Sequence, residues 1–156
     1  MQPLINIDEK TYLRKTQEND ANLIRDLMTK YWGGEPLVIN GKSYYPSKLN
    51  GILLFKEEKE YEIIVFEVFN KFNGLGTIIL NEFIKIAKSQ NCTKIHLMTT
   101  NDNLDALRFY QRRGFIIKGI RLNALQASRK IKPAIPLVGE YNIPLRDEIE
   151  FELSLE

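Results

Sequence analysis

The stretch "FEVFNKFNGLGTIILNEF", residues 66–83, places a short glycine-containing loop between an apolar run and a helical pattern. The first turn of a helix has backbone N–H groups without intrahelical partners, and the helix dipole is positive there. Gly74 and Gly76 have no side chain that would keep an anion away from these groups, and Thr77 adds a hydroxyl. The loop therefore favours binding of an anion of about the size of a pyrophosphate.

A tight strand-to-helix turn without any ligand is the alternative for this loop, because short glycine motifs give many false matches. Two known phosphate-binding loops fit badly. The loop lacks the Gly-x-x-x-x-Gly-Lys-Ser/Thr pattern of a P-loop, and it has no third glycine, which a dinucleotide-binding fold requires. A second segment decides between the two interpretations.

The second segment, "TTNDNLDALRFYQRRGF" at 99–115, has the spacing Asn-x-x-Ala-x-x-Phe-Tyr-x-x-x-Gly-Phe. Together with the loop pattern Gln/Arg-x-x-Gly-x-Gly/Ala, this spacing resembles the GNAT N-acetyltransferase family. The last third of the chain is also similar to one bacterial subgroup of that family. Lys71 departs from the loop pattern, which has Gln or Arg at this position. The matching residues of the second segment are Asn103, Ala106, Phe109, Tyr110, Gly114 and Phe115.

The resemblance implies a single N-acetyltransferase domain over residues 1–156, of the α/β class (α+β by some schemes). Its single mixed sheet would carry helices on both faces. The central parallel pair, "YEIIVFEV" and "KIHLMTT", would splay to make room for acetyl-CoA as co-substrate. The cofactor contacts that the resemblance implies lie at the end of the first of these strands, in the loop and in the second segment. They are Val68, Phe69, Lys71, Asn73, Gly74, Leu75, Gly76, Thr77, Asn103, Ala106 and Phe109.

Acetyl transfer to an amine has three needs: the ammonium loses a proton, the oxyanion meets a donor, and the leaving thiolate gains a proton or departs as the anion. By resemblance Tyr110 is the general acid, since a phenol with a pKa of about 10 is protonated at neutral pH. Glu67, which interrupts the apolar strand "IIVFEVF", is the candidate base, acting directly or through water. The amide of Val68 or Phe69 is the implied oxyanion donor.

Each of these assignments has a structural alternative. The tyrosine could be a core residue on an amphipathic helix, and the glutamate could face solvent. Glu62 and His96 are weaker candidates as the base, and a lone histidine in a strand is more often structural. Cys92 has no Cys-His pattern nearby and is interpreted as inert, and no cluster has the spacing of a metal site. Three aromatic residues have two possible roles: they line the acceptor pocket, or they only pack against neighbouring side chains. They are Trp32, Tyr44 and Tyr45.

Periodicity and capping signals give the elements that must position these residues. Strands are predicted at 11–17, 51–55, 61–68, 93–100, 115–122 and 148–155, with a hairpin at 37–45 around an Asn-Gly turn. Helices are predicted from Asp20, at 75–88, from Asn103 to Arg113 and at 123–131. Because a helix joins them, strands 61–68 and 93–100 should be parallel neighbours. Only 51–55 is a clear strand before 61–68, so either the hairpin supplies a further strand or the sheet is one strand short.

Composition and targeting signals set the class of protein. The 156 residues are 44% hydrophobic and 27% charged, which is typical of a globular protein. No apolar run approaches the ~20 residues that span a bilayer, and the start "MQPLINIDEK" lacks the features of a signal peptide. With a single cysteine, these features predict a cytoplasmic protein without a membrane partner.

The charge is small overall but unevenly distributed. The formal net charge is +2, yet residues 106–138 contain eight basic residues and no acid, and residues 147–156 contain five acids and no base. Complementary solvated faces are one interpretation, and an anion site on the basic side is the other. No recognition motif accompanies the basic run, so a nucleic-acid partner is not expected; a homodimer is left open.

Two hypotheses of function follow. The first is an acetyl-CoA-dependent N-acetyltransferase that moves an acetyl group to a primary amine of a small molecule or a protein. The alternative is a catalytically weak coenzyme A-binding domain that serves as a sensor or scaffold. Both predict binding of the co-substrate, so turnover distinguishes them.

Overall fold

The structure, a computed structural model, describes residues 5–6, 12–14, 17–22, 24–25, 50–69 and 73–156. Its contacts divide the chain into two compact units, Met1–Leu49 and Asn50–Glu156. The expected single domain over residues 1–156 stays a prediction. No helix within the described ranges is long and apolar enough to cross a membrane.

The first unit contains a short antiparallel pair of strands, β1 (Ile5–Asn6) and β2 (Tyr12–Leu13). The strand predicted at 11–17 is therefore shorter than expected. A 3-10 turn, Glu18–Asp20, follows, and residues 21–22 and 24–25 are helical, where the first helix was predicted. The rest of that helix, the predicted hairpin at 37–45, and Trp32, Tyr44 and Tyr45 lie outside the described residues.

The second unit holds one five-stranded mixed sheet with the strand order β3-β4-β5-β7-β6. Only the β4–β5 pair is parallel, as the connecting helix predicted. The mixed α/β class is thus confirmed. Its elements are β3 (Gly51–Lys56), β4 (Tyr61–Val68), α1 (Leu75–Ser89), β5 (Lys94–Thr100), α2 (Leu104–Gln111), β6 (Ile116–Arg121), α3 (Ala124–Ile131) and β7 (Glu148–Ser154).

The helix α1 is held to the sheet by the apolar stripe that its sequence predicts. Ala87 of this stripe is fully buried, as is Leu80, which the predicted stripe did not include, and both belong to the same core cluster as Ile95 of β5 and Phe151 of β7. Burying one such aliphatic side chain contributes roughly 1.5–3 kcal/mol. The stripe therefore fixes α1 across the central strands, and it fixes the start of α1 at the carboxyl end of β4.

The parallel strands β4 and β5 separate part of the way along their length. Their pairing runs only from Tyr61 opposite Ile95 to Ile63 opposite Leu97, although β4 continues to Val68. Beyond that point the backbone of β4 has no partner strand on this side within the described residues. This separation is the splay that the resemblance implied.

A β-bulge lies at the point where the two strands separate. Leu54 of β3 pairs with Val65, but the next residue, Phe55, pairs with Ile63, so Ile64 is an extra residue in β4. A bulge bends the bulged strand and increases its local twist. The bulged residue, Ile64, directly follows the last pair between β4 and β5, which joins Ile63 and Leu97.

The last strand, β7, lies between β5 and β6 and brings the acidic end of the chain next to part of the basic run. Glu152 of β7 lies 3.6 Å from the ammonium groups of both Lys94 and Lys118, and Glu148 lies 3.9 Å from Arg121. Such exposed pairs contribute little stability each. They account for some of the uneven charge as complementary surfaces, one of the two interpretations of that pattern.

Candidate active site

A cleft of about 460 Å³ opens at the gap between β4 and β5. The β4 residues that line it follow the point where pairing with β5 ends. The start of α1 and the helix α2 supply its other walls. Its lining residues are Phe66, Glu67, Val68, Gly74, Gly76, Thr77, Asn103, Asp105, Ala106, Arg108, Phe109, Tyr110, Arg112 and Arg113.

Most of the predicted site residues meet in this cleft, although they come from three elements. Asn73, Leu75 and Phe69 lie beside it but are not among its lining residues. Lys71 lies outside the described residues. The predicted residues that line the cleft are Glu67, Val68, Gly74, Gly76, Thr77, Asn103, Ala106, Phe109 and Tyr110.

The start of α1 presents two backbone N–H groups without an acceptor in the helix. Asn73 Oδ1 accepts a hydrogen bond from Leu75 N at 3.1 Å, and Ile78 N donates to Gly74 O at 3.2 Å to begin the helix. The N–H groups between these two, of Gly76 and Thr77, precede the first intrahelical donor. The anion-binding capacity predicted for the loop is therefore concentrated on Gly76 and Thr77, because the Leu75 amide is already capped.

The two loop positions carry glycine for different structural reasons. Gly74 has φ +84°, a left-handed conformation that an L side chain adopts only with strain. Gly76 has ordinary backbone angles, but a Cβ placed on it would lie 3.2 Å from the ring of Phe109 on α2. The absence of a side chain at Gly76 thus allows the start of α1 to approach α2 closely.

Gly76→Val is expected to lower the free energy of unfolding by about 1–3 kcal/mol, because the added methyl groups press on Phe109 in a packed contact. Chemical denaturation measures the change. Gly119→Val is the matched control, since a Cβ at Gly119 would meet only Glu150 Oε2, at 3.8 Å. Equal stability of the two variants would contradict this account of Gly76.

The hydrogen bonds of β4 show which strand amide faces the cleft. Phe69 N donates to Asn50 O at 2.9 Å, on the β3 side. In an antiparallel ladder successive residues direct their N–H groups to opposite sides, so the N–H of Val68 points away from β3, towards the gap. Of the two amides predicted as oxyanion donors, that of Phe69 is already used, and that of Val68 is directed at the opening.

Tyr110 is buried in an aromatic cluster and still lines the cleft. Only 6% of its surface is exposed, and its ring lies 5.2 Å from Phe115 and 5.9 Å from Phe151 between centroids. Burial raises the pKa of Tyr110 well above its ordinary value, and the charge of Glu67 raises it further. The hydroxyl therefore stays protonated across the physiological range.

Glu67 lies on the cleft wall, whereas the other two candidate bases do not. The side chain of Glu67 is half-exposed and close enough to Tyr110 for its charge to raise the pKa of the phenol. Glu62 and His96 pair with each other in the closed part of the β4–β5 ladder and are absent from the cleft lining. Cys92 is buried, and its thiol donates to Lys94 O at 3.0 Å.

Asn103 caps the helix α2, as its position before the helical pattern predicted. Its Oδ1 accepts a hydrogen bond from Ala106 N at 3.1 Å. The side-chain NH₂ group remains as a donor on the cleft wall. Within the described ranges, no group of three His, Cys, Asp or Glu side chains could hold a metal ion.

The cleft also contains basic residues that sequence reasoning did not assign to the site. Arg108, Arg112 and Arg113 line it, and all three belong to the basic run at 106–138. The sequence carried a signal for them, since an anion site was one interpretation of that run. Spacing alone did not separate these arginines from Lys118 and Arg121, which pair with β7 instead.

Comparisons with known proteins agree with this geometry. The model of the Acetyltransferase (GNAT) family matches residues 12–115. The chain is 34% identical to the uncharacterised protein YxbD of Bacillus subtilis (strain 168), covering 82% of this chain and 89% of that one. A GNAT family acetyltransferase from Elizabethkingia anophelis with acetyl-CoA bound is 26% identical, with a TM-score of 0.60 over 71% of this chain and 72% of that one.

A third similar protein supports the fold over nearly the whole length. A Bacillus subtilis acetyltransferase in complex with CoA has a TM-score of 0.63, 19% identity, and coverage of 92% of this chain and 95% of that chain. The expected family is thereby confirmed. The chain belongs to the Acetyltransferase (GNAT) family, and it is an acyltransferase.

Proposed function

We propose that this enzyme transfers the acetyl group of acetyl-CoA to a primary amine of a small molecule or a protein. The observation that carries the proposal is that Tyr110 and Glu67 line one cleft. This cleft lies between the free N–H groups at the start of α1 and the unpaired end of β4. Anion binding, an oxyanion donor, an acid and a base are thus available within one opening.

The residues of the start of α1 would bind the diphosphate of the co-substrate. The N–H groups of Gly76 and Thr77 have no helical acceptor, and the helix dipole favours negative charge at this end. Asn103, Ala106 and Phe109 would contact the pantetheine arm along α2. The unpaired edge of β4 beyond Ile63 offers this arm backbone donors and acceptors as a neighbouring strand would.

Val68, Glu67 and Tyr110 would carry the chemical steps. Glu67 takes a proton from the ammonium, directly or through water, because an amine with a pKa of about 10.4 is protonated at neutral pH. The free nitrogen attacks the thioester carbonyl, and the N–H of Val68 stabilises the oxyanion. As the carbon–sulfur bond breaks, Tyr110 gives its proton to the leaving thiolate, and the nitrogen loses its second proton to solvent to give the neutral amide. Solvent then restores the protonation states of Tyr110 and Glu67.

Release of free thiol from acetyl-CoA, measured with a panel of primary amines, tests the proposal. We expect thiol release above the rate without amine for at least one class of acceptor, with one acetylated amine formed per thiol. Small polyamines, amino acids and peptides with a free N-terminus or lysine cover the proposed range. Binding of coenzyme A without turnover on any of these amines would contradict the proposal and support the sensor or scaffold alternative.

A rise in melting temperature measures binding of the co-substrate separately from turnover. A ligand that binds only the folded state stabilises it by about 2.7 kcal/mol at 100 times its Kd. We expect coenzyme A and acetyl-CoA to raise the melting temperature, and above Kd the rise should grow with the logarithm of ligand concentration. No shift with either ligand would contradict the assignment of the cleft.

A further inference from the structure

Arg113 connects the end of α2 to the start of α1 inside the cleft. Its Nη1 donates to Phe109 O at 2.9 Å, and its Nη2 donates to the hydroxyl of Thr77. The guanidinium carbon lies 3.7 Å from the centroid of the Phe109 ring. These contacts fix the cation beside the first turn of α1, next to the free N–H groups of Gly76 and Thr77.

The guanidinium of Arg113 has no anionic partner in the part of the chain that the structure describes. Its Nε is buried and has no hydrogen-bond acceptor. Burial, and then the charge of Arg112, lower the pKa of Arg113. A partly buried cation without a counter-ion is unfavourable, and here it lies at the positive end of a helix dipole. An anion bound beside Arg113 would supply the counter-ion that this cation lacks.

We propose that Arg113 binds the diphosphate of coenzyme A as its counter-ion. The inference rests on the assignment of the cleft to the co-substrate. A guanidinium carries five N–H donors, of which the contacts with Phe109 and Thr77 use two. Because Arg113 is tied to Thr77, its charge lies where the diphosphate meets the start of α1. The 3′-phosphate of coenzyme A is the competing anion, and the test separates the two.

Calorimetric titration of Arg113→Met with three ligands tests the proposal. Coenzyme A carries both the diphosphate and the 3′-phosphate, dephospho-coenzyme A carries only the diphosphate, and pantetheine carries neither. We expect Kd to rise about 10- to 100-fold for the first two ligands and to stay unchanged for pantetheine, since a charge-assisted hydrogen bond is lost. Lys88→Met, at the opposite end of α1, controls for net charge and should change each Kd by less than about twofold.

Other outcomes would overturn the proposal. A loss confined to coenzyme A would assign Arg113 to the 3′-phosphate, and an equal loss for all three ligands would make its role structural. Arg113→Lys keeps the charge, so it should bind the two diphosphate ligands more tightly than Arg113→Met. If the methionine variant does not fold, Arg113→Lys is compared with the wild-type protein: its Kd should rise for the two diphosphate ligands, because the guanidinium's paired donors are lost, and stay unchanged for pantetheine. Wild-type protein that fails to bind coenzyme A would contradict the proposed function. Normal wild-type binding with unchanged Arg113→Met binding would contradict this inference alone.

Discussion

Tyr110→Phe is expected to lower kcat by about 10²-fold or more while the Kd for acetyl-CoA changes little. The substitution removes one hydroxyl and keeps the ring that packs against Phe115 and Phe151. Burial and the charge of Glu67 raise the pKa of the phenol, so the wild-type enzyme holds the proton that the proposed step gives to the leaving thiolate. Thiol release at saturating acetyl-CoA, combined with calorimetry, separates the loss of turnover from any loss of binding.

Tyr61→Phe is the matched control for this experiment. Tyr61 is also a buried tyrosine, but it lies at the start of β4 and its hydroxyl donates to Glu57 at 2.6 Å. That hydrogen bond is the main reason that the pKa of Tyr61 is raised to about 12. The control variant should keep its kcat. A similar fall in both variants, or no fall in Tyr110→Phe, would show that the hydroxyl of Tyr110 is not the acid.

Glu67→Gln is expected to lower kcat/KM for the amine by about 10²-fold at neutral pH, because a neutral amide cannot accept the proton of the ammonium. The deficit should narrow as the pH approaches the pKa of the amine, about 10.4, since the acceptor then arrives deprotonated. Initial rates from pH 6 to pH 10 measure this trend. The narrowing is the result that a merely structural role of Glu67 would not produce.

Glu62→Gln is the matched control, because Glu62 lies on the same strand but outside the cleft lining. We expect its rate and pH profile to follow the wild-type enzyme. If Glu62→Gln shows the deficit and Glu67→Gln does not, the base is Glu62. If neither variant shows it, neither glutamate is the base, and the proton goes to His96 or to solvent.

Much of the fold could be predicted from local patterns. The stripe of α1, the alternation of β7 and the cap at Asn103 each depend on residues close in sequence, and each forms as predicted. The helix α2 also ends near Gly114. Its φ of +87° is left-handed, so the backbone cannot continue a right-handed helix there. These features depend on the 3.6-residue and two-residue periods and on capping, which act within a single element.

The details of the site could be predicted less well. The sequence did not distinguish the backbone amides of Val68 and Phe69 as oxyanion donors. In the structure the amide of Phe69 donates to Asn50 O, so of the two only the amide of Val68 is directed at the gap. It also gave Gly76 the role of admitting an anion, whereas the structure adds close packing against Phe109. Both differences come from contacts with a neighbouring element, which no local pattern contains.

The sequence by itself determined the elements from β3 to β7, the parallel neighbours β4 and β5, and the two motifs that share the cleft, because these depend on periodicity and spacing along one chain. The tertiary structure alone decided three things: where β4 leaves β5, how β7 lies between β5 and β6, and which arginines of the basic run reach the cleft. A bulge in one strand and the insertion of another are set by pairing across the sheet. Arg113 and Thr77, 36 residues apart in sequence, meet only because the start of α1 lies against Phe109 of α2.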